Sequence, residues 1–424
     1  MKKILITGAS GFIGGFLVKE ALNRGYETWA GVRSTSSRVN LQDERIRFID
    51  LKYSDRESLT AQLADFVREH GPWDYVIHNA GLTKTLDKRN FYRINAQNTA
   101  NLIEALAASG CKPEKFLLMS SLSSYGRGDE KTFRPISLDD PQLPDTDYGK
   151  SKLEAENYLR HQSYFPYVIL RPTGVYGPGE KDYFMEIKSV KSGFDFAVGF
   201  TPQRITFIYV KDLATVAFLA LENEAVRNRH YFVADGDAYT DESFARMIQE
   251  ILRKKHVLHA RIPMGLVHIA CQGSEWIGKL LKKSMTLNTD KYIILKQRNW
   301  ICDVTPLQDE LGFVPAYPLR RGLEESIEWY RKVGCRPAFL LPIRILFYFF
   351  NSSFADDFLL YGCRAFIADI SFTYDCCFQV VGRMDLGGTF ACDFTVHFGH
   401  CHPESHDFTV GRNAVVCFFG VSSF

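Results

Sequence analysis

Tyr148 and Lys152, four residues apart in the segment YGKSK, are the side chains best suited to acid–base chemistry. A spacing of four places both on one face of a helix. A phenol ionises near pH ~10, so tyrosine is a poor base at neutral pH unless a cation such as a lysine ammonium favours the phenolate. With Ser121, at the end of a predicted strand, hydrogen-bonded to a substrate oxygen, Tyr148 can exchange a proton with a hydroxyl group. The alternative is an incidental Tyr/Lys pair on an amphipathic helix.

A glycine-rich segment, TGASGFIG, follows the first predicted strand and leads into a helix. Its glycines allow a tight turn and the close approach of a pyrophosphate to the helix N-terminus. The alternative is a tight strand-to-helix connection without a ligand, but its place in an N-terminal strand–helix–strand unit favours a dinucleotide. The predicted cofactor contacts in this segment are Gly8, Ser10, Gly11, Phe12, Ile13 and Gly14.

The end of the second predicted strand, WAGVRSTSSR, carries Arg33 where sites specific for NAD place an acidic residue for the ribose hydroxyls. A guanidinium at this place, with Ser34, Ser36 or Arg38 nearby, suits the 2′-phosphate of NADP. We therefore expect NADP as the cofactor, with NAD as the alternative if Arg33 is only a solvated surface residue.

Further candidates follow the third and fourth predicted strands, at the carboxyl edge where ligands gather in open α/β sheets. Asp50 and Leu51 are expected to flank the adenine, unless Asp50 instead caps the next helix. The segment HNAG then begins with His78, for which a packed structural role is favoured over that of a catalytic base. The small residues after it allow a cofactor to approach closely. The predicted contacts of this segment are Asn79, Ala80 and Gly81.

The elements that position these residues alternate between short apolar runs and amphipathic stretches. Strands are predicted at 4–7, 27–32, 46–50, 75–78, 116–121, 167–171, 205–210 and 231–234, and helices at 11–24, 55–70, 91–108 and 148–160. This alternation predicts an α/β fold with a doubly wound parallel sheet, a Rossmann domain over residues 1–235 whose chain after about 172 also enters a smaller lobe. Residues 236–332 are mainly helical, open with a cap at Asp241, and are predicted to form a substrate-binding lobe.

Taken together, TGASGFIG, IDL, HNAG, SSLSSYG, YGKSK, RPTGVYGPGE and FIYVKDLA resemble the extended short-chain dehydrogenase/reductases of the NAD-dependent epimerase/dehydratase superfamily. The likeness covers residues 1–332 and implies hydride transfer to or from a carbon that bears oxygen. It implies Ser121, Tyr148 and Lys152 as the catalytic trio, a substrate-binding C-terminal lobe and frequent homodimers. It also implies cofactor contacts from Asn95, Tyr148, Lys152, Arg171, Pro172, Gly174 and Val175.

Departures from the family's patterns narrow the activity. Leu122–Ser124 stand where dehydratases of the superfamily carry an Asp-Glu pair, so elimination is disfavoured. Thr173 and Gly174 stand where many nucleotide-sugar epimerases carry an asparagine. RPTGVYGPGE instead resembles the branch of 3β-hydroxysteroid dehydrogenases and dihydroflavonol reductases. We expect an oxidoreductase acting on a small hydroxy or keto compound, such as a sugar nucleotide or a steroid-like molecule; a nucleotide-sugar epimerase and a catalytically silent nucleotide-binding scaffold are the alternatives.

Charge and cysteine usage bear on other classes of protein. The chain has 51 Lys+Arg against 49 Asp+Glu, a net charge of +2 without a basic block, so nucleic acid is not an expected partner. The apolar run after Met1 is far too short for a signal peptide, and we expect a cytoplasmic protein. Before residue 335 there is no CxxC pair or His/Cys ligand spacing, so no metal site is expected there.

The composition changes abruptly after about Lys332. Residues 333–424 contain no lysine or tryptophan but 16 of the 33 phenylalanines and seven of the ten cysteines. The stretch FLLPIRILFYFF is too short and too interrupted to span a bilayer. A membrane-surface anchor and a thiol- and His-rich metal tail are alternatives; a non-native or disordered extension is favoured, because a sudden break in composition is first a sign of processing.

Overall fold

The computed structural model describes residues 1–162, 164–280 and 288–333, together with five short strands beyond residue 333. By its contacts the chain divides into two compact units, Met1–Val333 and Gly334–Phe424. The predicted boundary at residue 235 falls inside the first unit and stays a prediction.

The first unit contains strands and helices in close alternation. Its strands are β1 (Lys3–Thr7), β2 (Glu27–Gly31), β3 (Arg47–Ile49), β4 (Tyr75–His78), β5 (Lys115–Met119), β6 (Tyr167–Pro172), β7 (Gly174–Tyr176), β8 (Phe194–Val198), β9 (Arg204–Ile205), β10 (Phe207–Tyr209), β11 (Arg229–Val233), β12 (Tyr239–Thr240), β13 (Leu258–Ile262) and β14 (Asn299–Trp300). Its helices are α1 (Phe12–Asn23), α2 (Arg56–His70), α3 (Arg89–Phe91), α4 (Asn98–Ala108), α5 (Asp147–His161), α6 (Asp182–Lys191), α7 (Val210–Glu222), α8 (Asp241–Ile251), α9 (Met264–Leu280), α10 (Thr289–Lys296), α11 (Thr305–Leu311) and α12 (Leu319–Lys332).

Seven of these strands form the central sheet in the order β11-β6-β5-β4-β1-β2-β3. Every neighbouring pair in it is parallel. Because β1 lies between β2 and β4, the direction of winding reverses at β1, and a crevice opens at the carboxyl ends of β1 and β4. The predicted doubly wound Rossmann fold is confirmed.

Alternate residues of the strands supply two apolar layers, one on each face of the sheet. In β1, Ile4 and Ile6 pack in the layer that contains Leu17 of α1 and Phe218 of α7. Leu5 points to the other face, into the layer formed with α2, α4 and α5. Full burial of such an aliphatic side chain stabilises the fold by about 1.5–3 kcal/mol, so the sheet is a rigid platform for the loops at its carboxyl edge.

The predicted helix at 91–108 has an irregular start. Residues Tyr92–Gln97 form a π-helical turn between α3 and α4. Single π-helical turns inside α-helices occur often at functional sites. This turn contains Asn95, whose amide nitrogen donates to the Leu82 carbonyl and to Ser151 Oγ, both at 3.0 Å. The irregular turn therefore ties the loop after β4 to α5.

A smaller lobe is formed by α6, α8, α9, α10 and α12 with the short strands β7–β10 and β12–β14. Its core packs Tyr176 and Phe207 against Phe244 of α8 and Leu323 of α12. The predicted cap at Asp241 is wrong, because Thr240 is the last extended residue before α8. Its hydroxyl accepts from the Ser243 backbone N–H at 3.0 Å, while Ser243 Oγ accepts from the Thr240 N–H at 2.8 Å.

The second unit is described only through five short strands. They are β15 (Ile367–Asp369), β16 (Cys377–Met384), β17 (Cys392–His400), β18 (Thr409–Val410) and β19 (Ala414–Val415). They pair antiparallel, with β17 next to β16, β18 and β19. The stretch FLLPIRILFYFF, predicted to belong to a non-native or disordered extension, lies outside the described residues, as does most of the segment considered as an alternative metal tail. In the described part of the chain, no helix is long and apolar enough to cross a membrane.

Candidate active site

A cavity of about 1320 Å³ lies between the carboxyl edge of the central sheet and the smaller lobe. We call its two sides the sheet wall and the lobe wall. The sheet wall comprises Gly8, residues 10–13, 31–33, 79–81 and 119–121, Tyr148 and Lys152. The lobe wall comprises residues 179–183, Glu186, residues 195–198, Phe207, Phe244 and residues 288–291.

Two positions of the glycine-rich segment after β1, Gly8 and Gly14, have no room for a side chain. Gly8 has φ +65°, and a Cβ there would lie 2.8 Å from the backbone of Ala80. Gly14 does not line the cavity; a Cβ there would overlap with the Gly8 carbonyl oxygen. Helix α1 begins after Gly11 with no side-chain cap and no acidic residue in its first turn. Its N-terminal N–H groups thus lie at the cavity without a side-chain acceptor, which fits the pyrophosphate of a dinucleotide.

Arg33 lines the cavity beyond the end of β2 and has no ion-pair partner among the described residues. Asp50 accepts a hydrogen bond from the Ser34 backbone N–H at 2.8 Å, and thereby holds the loop that carries Arg33. Asp50 does not cap α2; Asp55 does, by accepting from the Ser58 N–H at 3.1 Å.

Leu51 and Arg38 lie away from the cavity wall. Leu51 is buried in the apolar layer formed with α2, α4 and α5. Neither Leu51 nor Asp50 lines the cavity. The Arg38 guanidinium lies 4.2 Å from the centre of the Phe48 ring. Of the two arginines in this loop, Arg33 is the one that reaches the cavity.

His78, at the end of β4, is held as a structural residue. Its ring nitrogens lie 2.9 Å from Thr7 Oγ1 and 2.9 Å from Thr99 Oγ1. Burial, with a smaller effect of Lys152, lowers the pKa of His78 to about 3. A neutral ring with both nitrogens bonded is not a base for a substrate. The cavity is lined by the next three residues, Asn79, Ala80 and Gly81. They therefore lie where the predicted cofactor contacts would need them.

Tyr148 and Lys152 lie one turn apart near the start of α5, whose cap is Thr146, accepting from the Gly149 N–H at 3.0 Å. Burial raises the pKa of Tyr148, and a hydrogen bond with Ser121 acts in the opposite direction. All three side chains line the same cavity. The structure therefore brings together the predicted trio.

The Lys152 ammonium is buried without a carboxylate in an ion pair. It donates to the Met119 carbonyl at 2.9 Å, and burial lowers the pKa of Lys152 to about 8. A Cβ on Gly81 would lie 3.2 Å from Lys152 Nζ and 3.3 Å from Asn95 Oδ1, so a larger residue there would require these side chains to shift. Asn95 itself acts behind the wall, through its bonds to Leu82 and Ser151.

Not every residue that the family resemblance implied reaches the cavity. Arg171 is fully buried and pairs with Glu156, its Nη2 at 2.8 Å from Oε2. Neither residue of this pair lines the cavity, so the pair lies behind the sheet wall. Glu156 also accepts hydrogen bonds from Ser120 and from Gln142. Pro172 and Val175 line the cavity, whereas Gly174 packs against the Tyr183 ring and is not part of the wall.

The lobe wall contains residues that the sequence did not single out. It combines an aromatic cluster with several charged side chains, and in the cluster Tyr183, Phe207 and Phe244 make edge and stacked contacts. One of its acidic residues is Glu186, whose pKa is raised to about 8 by burial and by the neighbouring Asp195 carboxylate. No local pattern marks these residues, because they come from separate elements that only the fold brings together.

Ion pairs connect the two sides at the mouth of the cavity. Lys84 Nζ lies 2.6 Å from Asp182 Oδ1, and Lys88 Nζ lies 2.9 Å from Asp290 Oδ1. Lys291 lies 3.7 Å from the other oxygen of Asp182. These lysines are thus already paired with carboxylates. Among the described residues, no cluster of three or more His, Cys, Asp or Glu side chains could hold a metal ion.

Residues 4–234 match the model of the NAD dependent epimerase/dehydratase family. The chain belongs to this family. Its named relatives include epimerases, dehydrogenases and a decarboxylase. A UDP-glucose 4-epimerase of Vibrio cholerae is 28% identical over 347 residues, covering 79% of this chain and 97% of the relative. A 3-beta-hydroxysteroid dehydrogenase of Mycolicibacterium neoaurum is 23% identical over 342 residues, covering 77% of this chain and 91% of the relative.

Solved structures of the family share the fold. The UDP-glucose 4-epimerase of Thermotoga maritima, determined with UDP-glucose, superimposes with a TM-score of 0.62 at 21% identity. The match covers 78% of this chain and 99% of that structure. Identity at this level supports the shared architecture and does not transfer a substrate.

Proposed function

We propose that this family member is an NADP-preferring oxidoreductase that moves a hydride to or from a carbon bearing oxygen. The observation that carries the proposal is the position of Ser121, Tyr148 and Lys152, which line the same cavity as the free N-terminus of α1. A dinucleotide with its pyrophosphate at α1 would extend its nicotinamide toward this trio, as the parallel sheet directs ligands along its carboxyl edge.

The protein's own groups would handle the proton and the substrate oxygen. The nicotinamide, when bound, supplies or accepts the hydride. Ser121 donates a hydrogen bond to the substrate oxygen and orients it toward Tyr148. Tyr148 gives a proton to that oxygen during reduction, or takes it during oxidation. Lys152, as an ammonium ion close to Tyr148 on the same helix face, favours the phenolate form that each cycle passes through.

The preference for NADP rests on the loop after β2. Arg33 is an unpaired guanidinium in the cavity wall, and it stands where a carboxylate would serve the ribose hydroxyls of NAD. The hydrogen bond from the Ser34 N–H to Asp50 supports the loop in this position. Asp50 therefore acts here through the loop backbone, and a direct contact of Asp50 or Leu51 with adenine is not part of the proposal.

The second candidate is a nucleotide-sugar epimerase. It is favoured by the name of the Vibrio cholerae relative and by the Thermotoga maritima structure. The same trio can oxidise a hydroxyl and return the hydride to the other face. An epimerase keeps its cofactor through the cycle, so net consumption of NADPH separates the two functions. A cytoplasmic location and a homodimer stay predictions.

A turnover screen tests the proposal. The purified full-length chain is incubated with NADPH or NADH and a panel of keto steroids, other ketones and UDP-sugars, and products are followed by mass spectrometry. We expect oxidation of NADPH coupled to reduction of at least one ketone. Interconversion of UDP-sugars without net oxidation of the cofactor would favour the epimerase. Thermal shift with each cofactor, which reports binding to the native state, serves as the control for a folded site.

A further inference from the structure

Exposed apolar side chains gather on the smaller lobe. Among the described residues between 185 and 276, eight large apolar side chains are exposed: Met185, Phe194, Phe196, Phe200, Leu258, Leu266, Ile269 and Trp276. Single exposed apolar residues are ordinary, but a contiguous group on a protein surface marks an interaction site.

Pairing of β8 with β13 places several of these residues together. Phe194 lies opposite Leu258 in the parallel ladder, and the Phe194 and Phe196 rings are parallel with centroids 6.0 Å apart. At the end of β8 the Gly199 N–H donates to the Ile262 carbonyl at 2.9 Å. A Cβ at Gly199 would lie 3.5 Å from Met264, the first residue of α9, so exposed Phe200 lies beside the start of that helix.

Helix α9 has two different faces. Val267 and Cys271 are buried, and His268 stacks on Tyr292 of α10 at 4.5 Å between ring centroids. The other face exposes Leu266, Ile269 and Trp276 by 54%, 66% and 67%. The spacing of these residues, three and seven, keeps them on one side of the helix. No described residue covers this side.

Basic residues flank the same surface. Lys191 precedes β8 by a short turn, and Arg253, Lys254 and Lys255 lie just before β13; all four are exposed. None of them is in an ion pair in the described part of the chain. We define the rim surface as these four basic residues together with Phe194, Phe196, Phe200, Leu258, Leu266, Ile269 and Trp276. Aromatic and aliphatic groups beside unpaired cations are the composition of a surface that lies on an anionic membrane.

We propose that the rim surface docks this enzyme on a membrane containing anionic lipids. Trp276, Ile269 and Phe200 enter the boundary between headgroups and acyl chains, while Lys254 and Lys255 remain at the lipid phosphates. Phe196 belongs both to the rim surface and to the lobe wall, so the cavity opens at the docked edge. An amphipathic hydroxy or keto compound could thus pass from the lipid to the site without crossing water.

Vesicle binding tests the proposal without any need for turnover. The full-length chain is sedimented with vesicles of phosphatidylcholine alone or of phosphatidylcholine mixed with phosphatidylglycerol, over a range of NaCl concentrations. The anionic lipid gives the vesicles the negative surface potential that attracts basic segments. We expect binding only to the anionic vesicles, weakened by salt because the charges are exposed. Brominated acyl chains should quench fluorescence in the wild type and quench it much less in Trp276→Phe.

Two variants and one control assign the surface. Each basic residue near an anionic membrane raises the binding affinity by about fivefold. We therefore expect vesicle binding to weaken by about tenfold or more in Lys254→Glu/Lys255→Glu, and by a similar factor in Ile269→Glu/Trp276→Glu. Val314→Glu, at a residue 81% exposed elsewhere in the first unit, should bind as the wild type does. Thermal shift by NADPH verifies that each variant is folded. Absence of vesicle binding, or equal loss in the control, would overturn the proposal. So would a change of oligomeric state in Ile269→Glu/Trp276→Glu without any vesicle binding, because the surface would then join copies of the chain.

Discussion

The sheet wall and the lobe wall of the cavity differ in whether their charged side chains have ion-pair partners. On the sheet wall, Lys152 and Arg33 have no carboxylate in an ion pair among the described residues. On the other side, Asp182 and Asp290 are already paired with lysines across the mouth. Lys152 is buried, whereas Arg33 is exposed, so only the unpaired charge of Lys152 is costly unless a ligand or a function requires it. The unpaired cations therefore lie on the sheet wall, where we propose dinucleotide binding and acid–base chemistry, and the paired carboxylates lie on the lobe wall.

Replacement of the buried Lys152 should strongly lower turnover without lowering the stability of the fold at pH 7. Lys152→Met is expected to lower kcat by about 10²-fold or more, because the ammonium no longer favours the Tyr148 phenolate. At pH 7 the variant should unfold at a temperature no lower than the wild type, because burial holds the pKa of Lys152 at about 8 and makes its charged form unfavourable in the folded state.

The difference in stability between the wild type and Lys152→Met should depend on pH. Between about pH 8 and the unfolded pKa of lysine near ~10.4, the unfolded wild type binds more protons than the folded one, so its stability rises with pH. The advantage of Lys152→Met should therefore shrink over this window in thermal unfolding scans. Lys150→Met, exposed on the same helix, is the control. Identical pH profiles for wild type and Lys152→Met would show that Lys152 is not a buried cation of this kind.

The unpaired arginine of the sheet wall should decide the cofactor. Arg33→Asp replaces a charge-assisted hydrogen bond to the 2′-phosphate by repulsion, and offers an acceptor to the ribose hydroxyls of NAD. We expect kcat/KM for NADPH to fall by about tenfold to a hundredfold, since one such bond contributes about 1.5–3 kcal/mol, while NADH loses little. The ratio of the two values isolates the effect. Arg38→Asp should leave the ratio unchanged; if wild type already prefers NADH, the NADP assignment fails.

Two helical glycines, Gly14 of α1 and Gly273 of α9, differ in the space around them. Gly14→Ala introduces a Cβ that overlaps with the Gly8 carbonyl oxygen, whereas a Cβ at Gly273 of α9 meets nothing within 4 Å. Gly14→Ala should lower the free energy of unfolding by about 1–3 kcal/mol and weaken cofactor binding. Gly273→Ala should be neutral or stabilising by up to about 1 kcal/mol, because alanine is the better helix former. Denaturant titration and NADPH titration of both variants check this, and equal effects would contradict the model of a tight loop.

The entrance ion pairs should have the smallest effect. Asp182→Asn removes the partner of Lys84 and Lys291, which are partly exposed, so the free energy of unfolding should change by less than about 1 kcal/mol. The change should vanish in high salt, because such charges are screened. Denaturant titration at low and high NaCl measures both values. A loss well above this limit would mean that the pair contributes to the core of the lobe.

The sheet wall was predictable because each of its parts is a contiguous motif at the end of one strand. Gly8 and Gly11 follow β1, Ala80 and Gly81 follow β4, and Tyr148 begins α5, so local patterns place them at one edge of a parallel sheet. The prediction is weaker where a motif residue has a partner in the core. Arg171 belongs to a family motif, yet its guanidinium meets Glu156 behind the wall, and no local pattern in β6 indicates that contact.

The lobe wall was not predictable for a different physical reason. Asp195 and His259, at 2.8 Å, meet only because β8 pairs with β13 across a long stretch of chain. Glu186 reaches the same place from α6.

The cap of α8 could not be predicted from neighbouring residues alone. Thr240 and Asp241 are both good caps, and the extended backbone of Thr240 decides between them.

The central claim is that Tyr148 exchanges the proton while a hydride moves between cofactor and substrate. The most direct measurement is the rate of deuterium transfer from 4-deuterated NADPH to an accepted ketone by wild type and by Tyr148→Phe, with the dissociation constant of NADPH determined for both. The account predicts a loss of about 10²- to 10⁴-fold in rate, because a proton carrier is gone, with cofactor affinity nearly unchanged. A Tyr148→Phe variant that keeps most of the wild-type rate would contradict it.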